Sequence, residues 1–270
     1  MVAGWWAVET GFALVEVKIT DKIGEITLSN PSKLNALSTA LVEELCAALE
    51  EMLLGQVRVV VLRAPAGAKV FSAGHDVREL PTNGRDPLTY DDPLRRVIRM
   101  IELFPAPVIA MVEGSVWGGA CELVLSCDMI VASADSTFAV TPAKLGMPYN
   151  MSGVQNFLNA GGKSLCKEML FTAQPMTVHR LVVQGIVSHA VPRDELEPLT
   201  RTIAEQIAKN SPLVISLLKE ELRLLSASHN LGPEAFERVQ AMRRMVYDSD
   251  DYQEGIRAFF EKRAPRFQGK

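Results

Sequence analysis

Cysteine is scarce in this chain. Cys46, Cys121, Cys127 and Cys166 are its four, with no CxxC pair and no histidine-rich company. That excludes a disulfide scaffold and a thiolate metal framework; buried or half-buried thiols in a reducing compartment are expected. No apolar run reaches the roughly 18 residues that span a bilayer. The stretch Met1 to Glu9 lacks a basic segment and carries an acid, so it does not read as a secretory signal, and a cytoplasmic protein is expected. An excess of positive charge is missing too. There are 28 Lys+Arg against 32 Asp+Glu, a formal net charge of −4, without the basic footprint of a nucleic-acid binder. A few local cations or aimed backbone N–H groups would still hold a small anionic ligand. Repeats, low-complexity tracts and an obvious linker are also absent.

What remains is a chain of 270 residues, 48% hydrophobic and 22% charged, long enough for one large domain or two small ones. It can bury about three-quarters of its unfolded surface without staples. Ala13, Val15 and Val17 alternate with their neighbours, and Ile23 to Leu28 follows Asp21-Lys22, which predicts a hairpin. Ser38 is a plausible N-cap for a helix over 39–54, closed by Gly55. Val57 to Leu62, Val108 to Val112 and Met129 to Ala132 are short apolar runs of the kind found in doubly covered strands. Helices are predicted over 93–103 and 120–127 between them, which describes an α/β sheet with crossovers. Helical patterns follow over 178–183, 194–209, 213–225, 233–247 and 251–263.

Three loops could carry chemistry: Val70 to Asp76 with its isolated His75, Glu113 to Glu122 with Gly118-Gly119 at a helix start, and Thr141 to Asn150. Unpaired N–H groups at a helix start suit an anion or a developing oxyanion, and glycine permits close approach. Singly, each loop also reads as an ordinary turn.

Together they resemble a family. Lys33-Leu34-Asn35-Ala36-Leu37, Phe71-Ser72-Ala73-Gly74-His75-Asp76, the Glu113 to Glu122 string and Phe259-Phe260-Glu261-Lys262-Arg263 are similar, in this order, to the enoyl-CoA hydratase/isomerase (crotonase) superfamily. The resemblance implies an α/β, crotonase-like fold of stacked ββα units with a C-terminal helical oligomerisation region. Residues 1–200 would form the core and 201–270 the trimerisation region, in a homotrimer or a hexamer of paired trimers. It implies acyl-CoA thioester substrates and no metal or organic cofactor, coenzyme A being part of the substrate. No nucleic-acid or membrane partner is expected. The thioester oxygen would be held by the backbone N–H groups of His75 and Gly119. Lys33 is the candidate for the CoA adenine, and Phe259 with Lys262 for the CoA of a neighbouring subunit. Leu34, Ala36, Ser72, Ala73, Gly74, Asp76, Val77, Trp117, Gly118, Thr141 and Pro142 would line the substrate.

One departure selects among reactions. Hydratases of the family use two glutamates, and one falls on Glu122. Aligned on Lys144-Leu145-Gly146, the second glutamate's place is held by Pro142, which cannot transfer a proton. Decarboxylation of a malonyl-type thioester makes the enolate without removing a proton. Tyr149 could then orient the leaving carboxylate as a neutral donor. Glu122 is open between a water-mediated proton relay and a structural brace, the brace being slightly preferred. Arg85 and Arg95 are read as surface residues.

Further strings resemble the bacterial members of the superfamily that decarboxylate methylmalonyl-CoA to propionyl-CoA and CO2. They are Gly84 to Leu88, Tyr90 to Arg95, Pro148-Tyr149-Asn150, and Tyr247 to Gly255. Met1 to Trp6 and Asn159 to Leu165 depart from that pattern. The α-substituent stays open, since one methylene in a pocket is worth only roughly 1–3 kcal/mol; ethylmalonyl- and malonyl-CoA are alternatives. So are an isomerase or hydratase, and an inactive acyl-CoA-binding scaffold.

Overall fold

A computed structural model describes residues 11–80, 92–226 and 233–267. The strings at 1–6 and 84–91, Arg85 among them, lie outside these residues. Four units in succession run strand, strand, helix. They are β1 (Val15–Thr20), β2 (Ile23–Leu28) and α1 (Thr39–Leu54); β3 (Val59–Arg63), β4 (Val70–Ser72) and α2 (Pro93–Leu103); β5 (Val108–Val112), β6 (Ser115–Trp117) and α3 (Gly119–Leu125); and β7 (Met129–Ser133), β8 (Thr137–Ala139) and α4 (Met151–Thr172). After them come β9 (Met176–Thr177), α5 (Val178–Val183), β10 (His189–Val191), α6 (Arg193–Lys209), α7 (Pro212–Ser226), α8 (Pro233–Tyr247) and α9 (Asp250–Phe260).

The strands divide between two sheets. One has the order β1-β2-β3-β5-β7-β10, antiparallel only at the β1–β2 hairpin. The other has the order β4-β6-β8-β9, with β4, β6 and β8 parallel. From the second unit on, the chain places its longer strand in the large sheet and the next, three-residue strand in the small one. Parallel strands send their following loops off the same end, where α/β proteins place ligands. So the loops after Ser72, Trp117 and Ala139 meet although some 70 residues of chain separate the first from the last.

The central strands are buried on both faces, which is why they are unbroken apolar runs. Val60, Leu62, Val108 and Ala110 face the main core with Leu41, Leu45 and Leu49 of α1. Val59, Val61, Ile109, Met111 and Val131 face the other way, onto Leu196, Ile203 and Ala204 of α6. The four cysteines are buried and unpaired, as expected.

Two features differ from the sequence reading. The small sheet was not legible, because its strands are too short for an alternating pattern. Helix α4, the longest among the described residues, was not legible either. Gly162 sits inside it at φ 69°, ψ 174°, so the helical period is broken at a kink.

Helix α7 is attached in an unusual way. It buries none of its residues. Its anchor is Lys219, whose Nζ donates to the carbonyls of Ile101 (2.9 Å) and Ala106 (3.2 Å) and pairs with Asp128 (2.7 Å). Replacing it removes three bonds at once, although Ile101 O keeps Phe104 N and Asp128 keeps Val108 N. Lys219→Met is expected to lower stability by about 1–3 kcal/mol, read from the denaturant midpoint; an unchanged midpoint would show that the helix is held by something else.

Candidate active site

The first loop is stitched to the second segment of the site by main chain. Leu34 and Asn35 both adopt left-handed backbone, at φ 51° and 50°. Asn35 accepts from Asn30 N and donates to Phe71 O, while Ser72 Oγ donates to Asn35 O at 2.7 Å. Ala73 N donates to Leu34 O, and Leu37 N to Gly74 O at 2.8 Å. Ser72, Ala73 and Ala36 are thereby fixed side by side. Lys33 and Leu34 stand exposed at the edge. Asp76 accepts from Arg78 N and so caps the short turn Val77–Glu79.

Gly74 then brings two backbones together. It lies at φ +82°, and a Cβ on it would overlap Trp117 O and stand 3.1 Å from Gly119 N. On the opposite side Gly118 takes φ 52°, ψ −123°, donates its N–H to Ala139 O and delivers Gly119 as the first residue of α3. A Cβ on Gly119 would lie 3.6 Å from His75 N and 2.8 Å from Leu94 Cδ2. The N–H groups of His75 and Gly119 are therefore neighbours. Neither donates to an acceptor among the described residues.

Glu122, one turn along α3, is 2% exposed and ion-paired with Arg95 of α2. Burial pushes its carboxyl up to about 7, against the pull of the Arg95 guanidinium. Arg95 is itself buried, a correction to its reading as a surface residue: the guanidinium is drawn inward by the one carboxylate it neutralises. Asp92 caps α2 by accepting from Leu94 N (2.9 Å) and Arg95 N (3.3 Å), which sets the arginine's direction. Its Asp-Pro-Leu setting was a legible capping signal. Arg95's role was not, because its partner is 27 residues away.

The third loop turns through Pro142–Leu145 to Gly146, with Thr141 Oγ1 3.7 Å from where a Gly118 Cβ would lie. Tyr149 ends it, with its hydroxyl donating to Gly118 O at 3.2 Å and its ring edge-on to Phe157. Burial, and then the Glu122 charge, hold the phenol well above its ordinary 10. Gly153 permits this crowding. A Cβ there would stand 2.8 Å from both Glu122 Oε1 and Tyr149 Cδ1.

His75, Gly119, Glu122 and Tyr149 thus share one place, with Gly74, Trp117, Gly118 and Thr141 around them. Phe259 and Lys262 stand exposed at the end of α9, the helix that packs through Gly255 on Leu145 of the third loop; no side-chain hydrogen bond or ion pair among the described residues links the two to these loops. Glu113 is structural: it accepts from Gly67 N and pairs with Arg193.

A charge-linked stability effect follows. An isolated glutamate ionises near 4.5, whereas Glu122 in the fold does so at about 7. Between those values the native state keeps a proton that the unfolded chain has lost, so Glu122's contribution falls as pH rises through that window. Stability is expected to decline there by on the order of a few kcal/mol, and the slope should be shallower in Glu122→Gln; denaturation curves from pH 4.5 to 7.5 check it.

The enoyl-CoA hydratase/isomerase family model matches residues 18–270. Methylmalonyl-CoA decarboxylase of Escherichia coli K12 is 50% identical over 258 residues, 96% of this chain and 99% of that one. Human enoyl-CoA hydratase domain-containing protein 3, mitochondrial, is 37% identical, over 91% of this chain and 80% of that one. A structure of methylmalonyl-CoA decarboxylase in complex with 2-nitronate-propionyl-CoA superposes with a TM-score of 0.94 at 49% identity, over 96% of this chain and all of that one. Another, complexed with 2S-carboxypropyl CoA, gives 0.95 over 97% of this chain and all of that one. The order of strands, the paired loop backbones and these matches have one reading: the chain belongs to the enoyl-CoA hydratase/isomerase family.

Proposed function

We propose that this chain is a carboxy-lyase that converts methylmalonyl-CoA to propionyl-CoA and CO2 through a thioester enolate. One observation carries the reading: two unpartnered backbone donors stand side by side while the adjacent Glu122 is tied to Arg95 and Pro142 occupies the second glutamate's place. Such a site stabilises an enolate but is poorly equipped to make one by removing a proton. The 50% identity to the E. coli protein named for this reaction supports it.

In the proposed reaction the bond between Cα and the carboxylate breaks. Its electrons move into the thioester carbonyl, and the charge on oxygen is met by the N–H groups of His75 and Gly119. Preorganised donors aimed at developing charge are the largest single catalytic term in many enzymes. Tyr149 exchanges its bond to Gly118 O for one to the substrate carboxylate. Because the phenol stays neutral, it orients the carboxylate without an ion pair that would stabilise the ground state. Glu122 with Arg95 ties α3 to α2 behind the donors. Lys33 and Leu34 receive the CoA at the edge. Enolate stabilisation by main-chain donors needs no metal or organic cofactor.

The assembly is proposed to be a homotrimer, alone or paired into a hexamer, built on the region 201–270. Helix α7 exposes Leu213, Leu217, Leu222 and Leu225, and a second copy of the chain is the occupant suited to so apolar a face. Phe259 and Lys262, at the exposed end of α9, are then available to a neighbour's CoA. No helix among the described residues is long and apolar enough to cross a membrane, and a cytoplasmic location is proposed.

Purified protein is expected to release CO2 from methylmalonyl-CoA faster than it hydrates crotonyl-CoA or isomerises a 3-enoyl-CoA; the reverse order would overturn the reading. Tyr149→Phe is expected to lower kcat about 10- to 100-fold with little change in KM, where a passive binder would have no turnover to lose. Leu217→Glu with Leu222→Glu is expected to shift the sedimenting species toward monomer; an unchanged species would place the interface elsewhere.

A further inference from the structure

The two donors of the hole differ in what stands behind them. An amide N–H and the carbonyl of the preceding residue form one planar unit, and in a trans peptide they point in opposite directions. A hydrogen bond accepted by that oxygen fixes the plane and draws electron density from the nitrogen. The N–H then donates more strongly, by about 10–30% per bond.

Behind the His75 N–H is Gly74 O, which accepts from Leu37 N at 2.8 Å. That donor is main chain and stays in place. Behind the Gly119 N–H is Gly118 O, which has two donors, Cys121 N at 3.0 Å and Tyr149 Oη at 3.2 Å. The second is a side chain and can leave. The plane it acts on follows Gly118, at φ 52° and ψ −123°, a region that glycine enters freely and other residues avoid. No side chain at position 118 braces that plane.

Tyr149 is held at this oxygen by its surroundings. Its ring meets Phe157 edge-on with centroids 5.5 Å apart, and its Cδ1 occupies the space that a Cβ of Gly153 would need. Glu122 is engaged by Arg95, and the Cys121 thiol faces Val116 O and Ala139 O. Burial, and then the Glu122 charge, keep the phenol protonated and therefore a donor.

Resting on the enolate reading, we infer that the Tyr149 hydroxyl is a positioning group for the Gly119 donor, orienting and polarising the Gly118–Gly119 peptide whenever no carboxylate holds it. The phenol then has different acceptors at different stages. Hydrogen bonds to an ionised acceptor are roughly twice as strong as neutral ones, so the carboxylate of bound methylmalonyl-CoA draws the hydroxyl off Gly118 O. As the C–C bond breaks, the carboxylate becomes neutral CO2 and its charge moves to the thioester oxygen. The hydroxyl returns to Gly118 O as that charge grows. Gly119 N–H is thus a weaker donor to the substrate and a stronger one to the enolate, and only such a difference accelerates the chemical step.

Propionyl-CoA labelled with 13C at the thioester carbonyl tests this without decarboxylation, because it offers a carbonyl to the hole and no carboxylate to Tyr149. Infrared difference spectra of the wild-type complex are expected to show the carbonyl stretch at lower frequency than in free propionyl-CoA. Tyr149→Phe keeps the ring against Phe157 and lacks only the hydroxyl. It is expected to lose about 10–30% of that downshift. Tyr149→3-fluorotyrosine makes the phenol a stronger donor and is expected to enlarge the downshift; a role in packing alone would not produce that graded order. An equal downshift in all three proteins would overturn the inference and leave Tyr149 to the carboxylate alone. A carbonyl that does not shift in the wild type would overturn the enolate reading and the inference with it. Should Tyr149→Phe fail to fold, the comparison of wild type with Tyr149→3-fluorotyrosine decides. CO2 release from methylmalonyl-CoA, followed on the same preparations, separates the two claims: graded shifts without CO2 release reject the proposed reaction and leave the Tyr149 assignment standing.

Discussion

The approach of the Gly74 segment to the Trp117–Gly119 segment is the constraint on which the site is built. Two stretches of main chain lie closer than any side chain would permit, and they do so at the ends of neighbouring parallel strands. At that distance the polar groups of both backbones must be placed with care. Most are: Gly74 O accepts from Leu37 N, Gly118 N donates to Ala139 O, and Gly118 O accepts from both Cys121 N and Tyr149 Oη. Among the described residues, the two N–H groups left without an acceptor are those of His75 and Gly119. A pair of unsatisfied donors is tolerable because a ligand oxygen can take both. The surrounding hydrogen bonds make the pair rigid, and rigidity is what lets donors act on charge as it develops.

Behind that pair the fold places charge in its interior, which is costly unless it is neutralised. Arg95 and Glu122 neutralise each other, and each belongs to a helix that carries a wall of the site. The pair therefore registers α2 against α3, with Leu94 against Gly119 and Asp92 capping the same turn. Replacing the pair by apolar side chains would not obviously cost stability. It would remove the directional contact that sets one helix start over the other. Gly153 extends the arrangement to α4, letting that helix reach both Glu122 and Tyr149.

Legibility in the sequence followed the range of the interactions. Helix α1 with its Ser38 cap, helix α2 and the buried strands were readable because their signals are local: a cap, a period, an apolar run. The paired His75 and Gly119 positions were readable as strings that resemble a family's, because glycines and their neighbours occupy a few consecutive positions. The small sheet escaped because three-residue strands have no period to detect. Helix α4 escaped because Gly161-Gly162 interrupts its own. Arg95 escaped for a different reason: an isolated arginine on an amphipathic helix is solvated unless a distant carboxylate waits for it, and no local pattern announces Glu122 as that partner.

The division of labour between main chain and side chain has a genetic corollary. A donor that is a peptide N–H survives almost any codon change at its own position, so the pair of free N–H groups can be kept while residue 75 is rewritten. Its vulnerability is displaced to the glycines. A single nucleotide change that turns Gly74 into alanine adds one carbon where Trp117 O already lies, without touching any group that meets a substrate. Inherited loss of function would therefore be expected to strike first at a residue with no side chain at all.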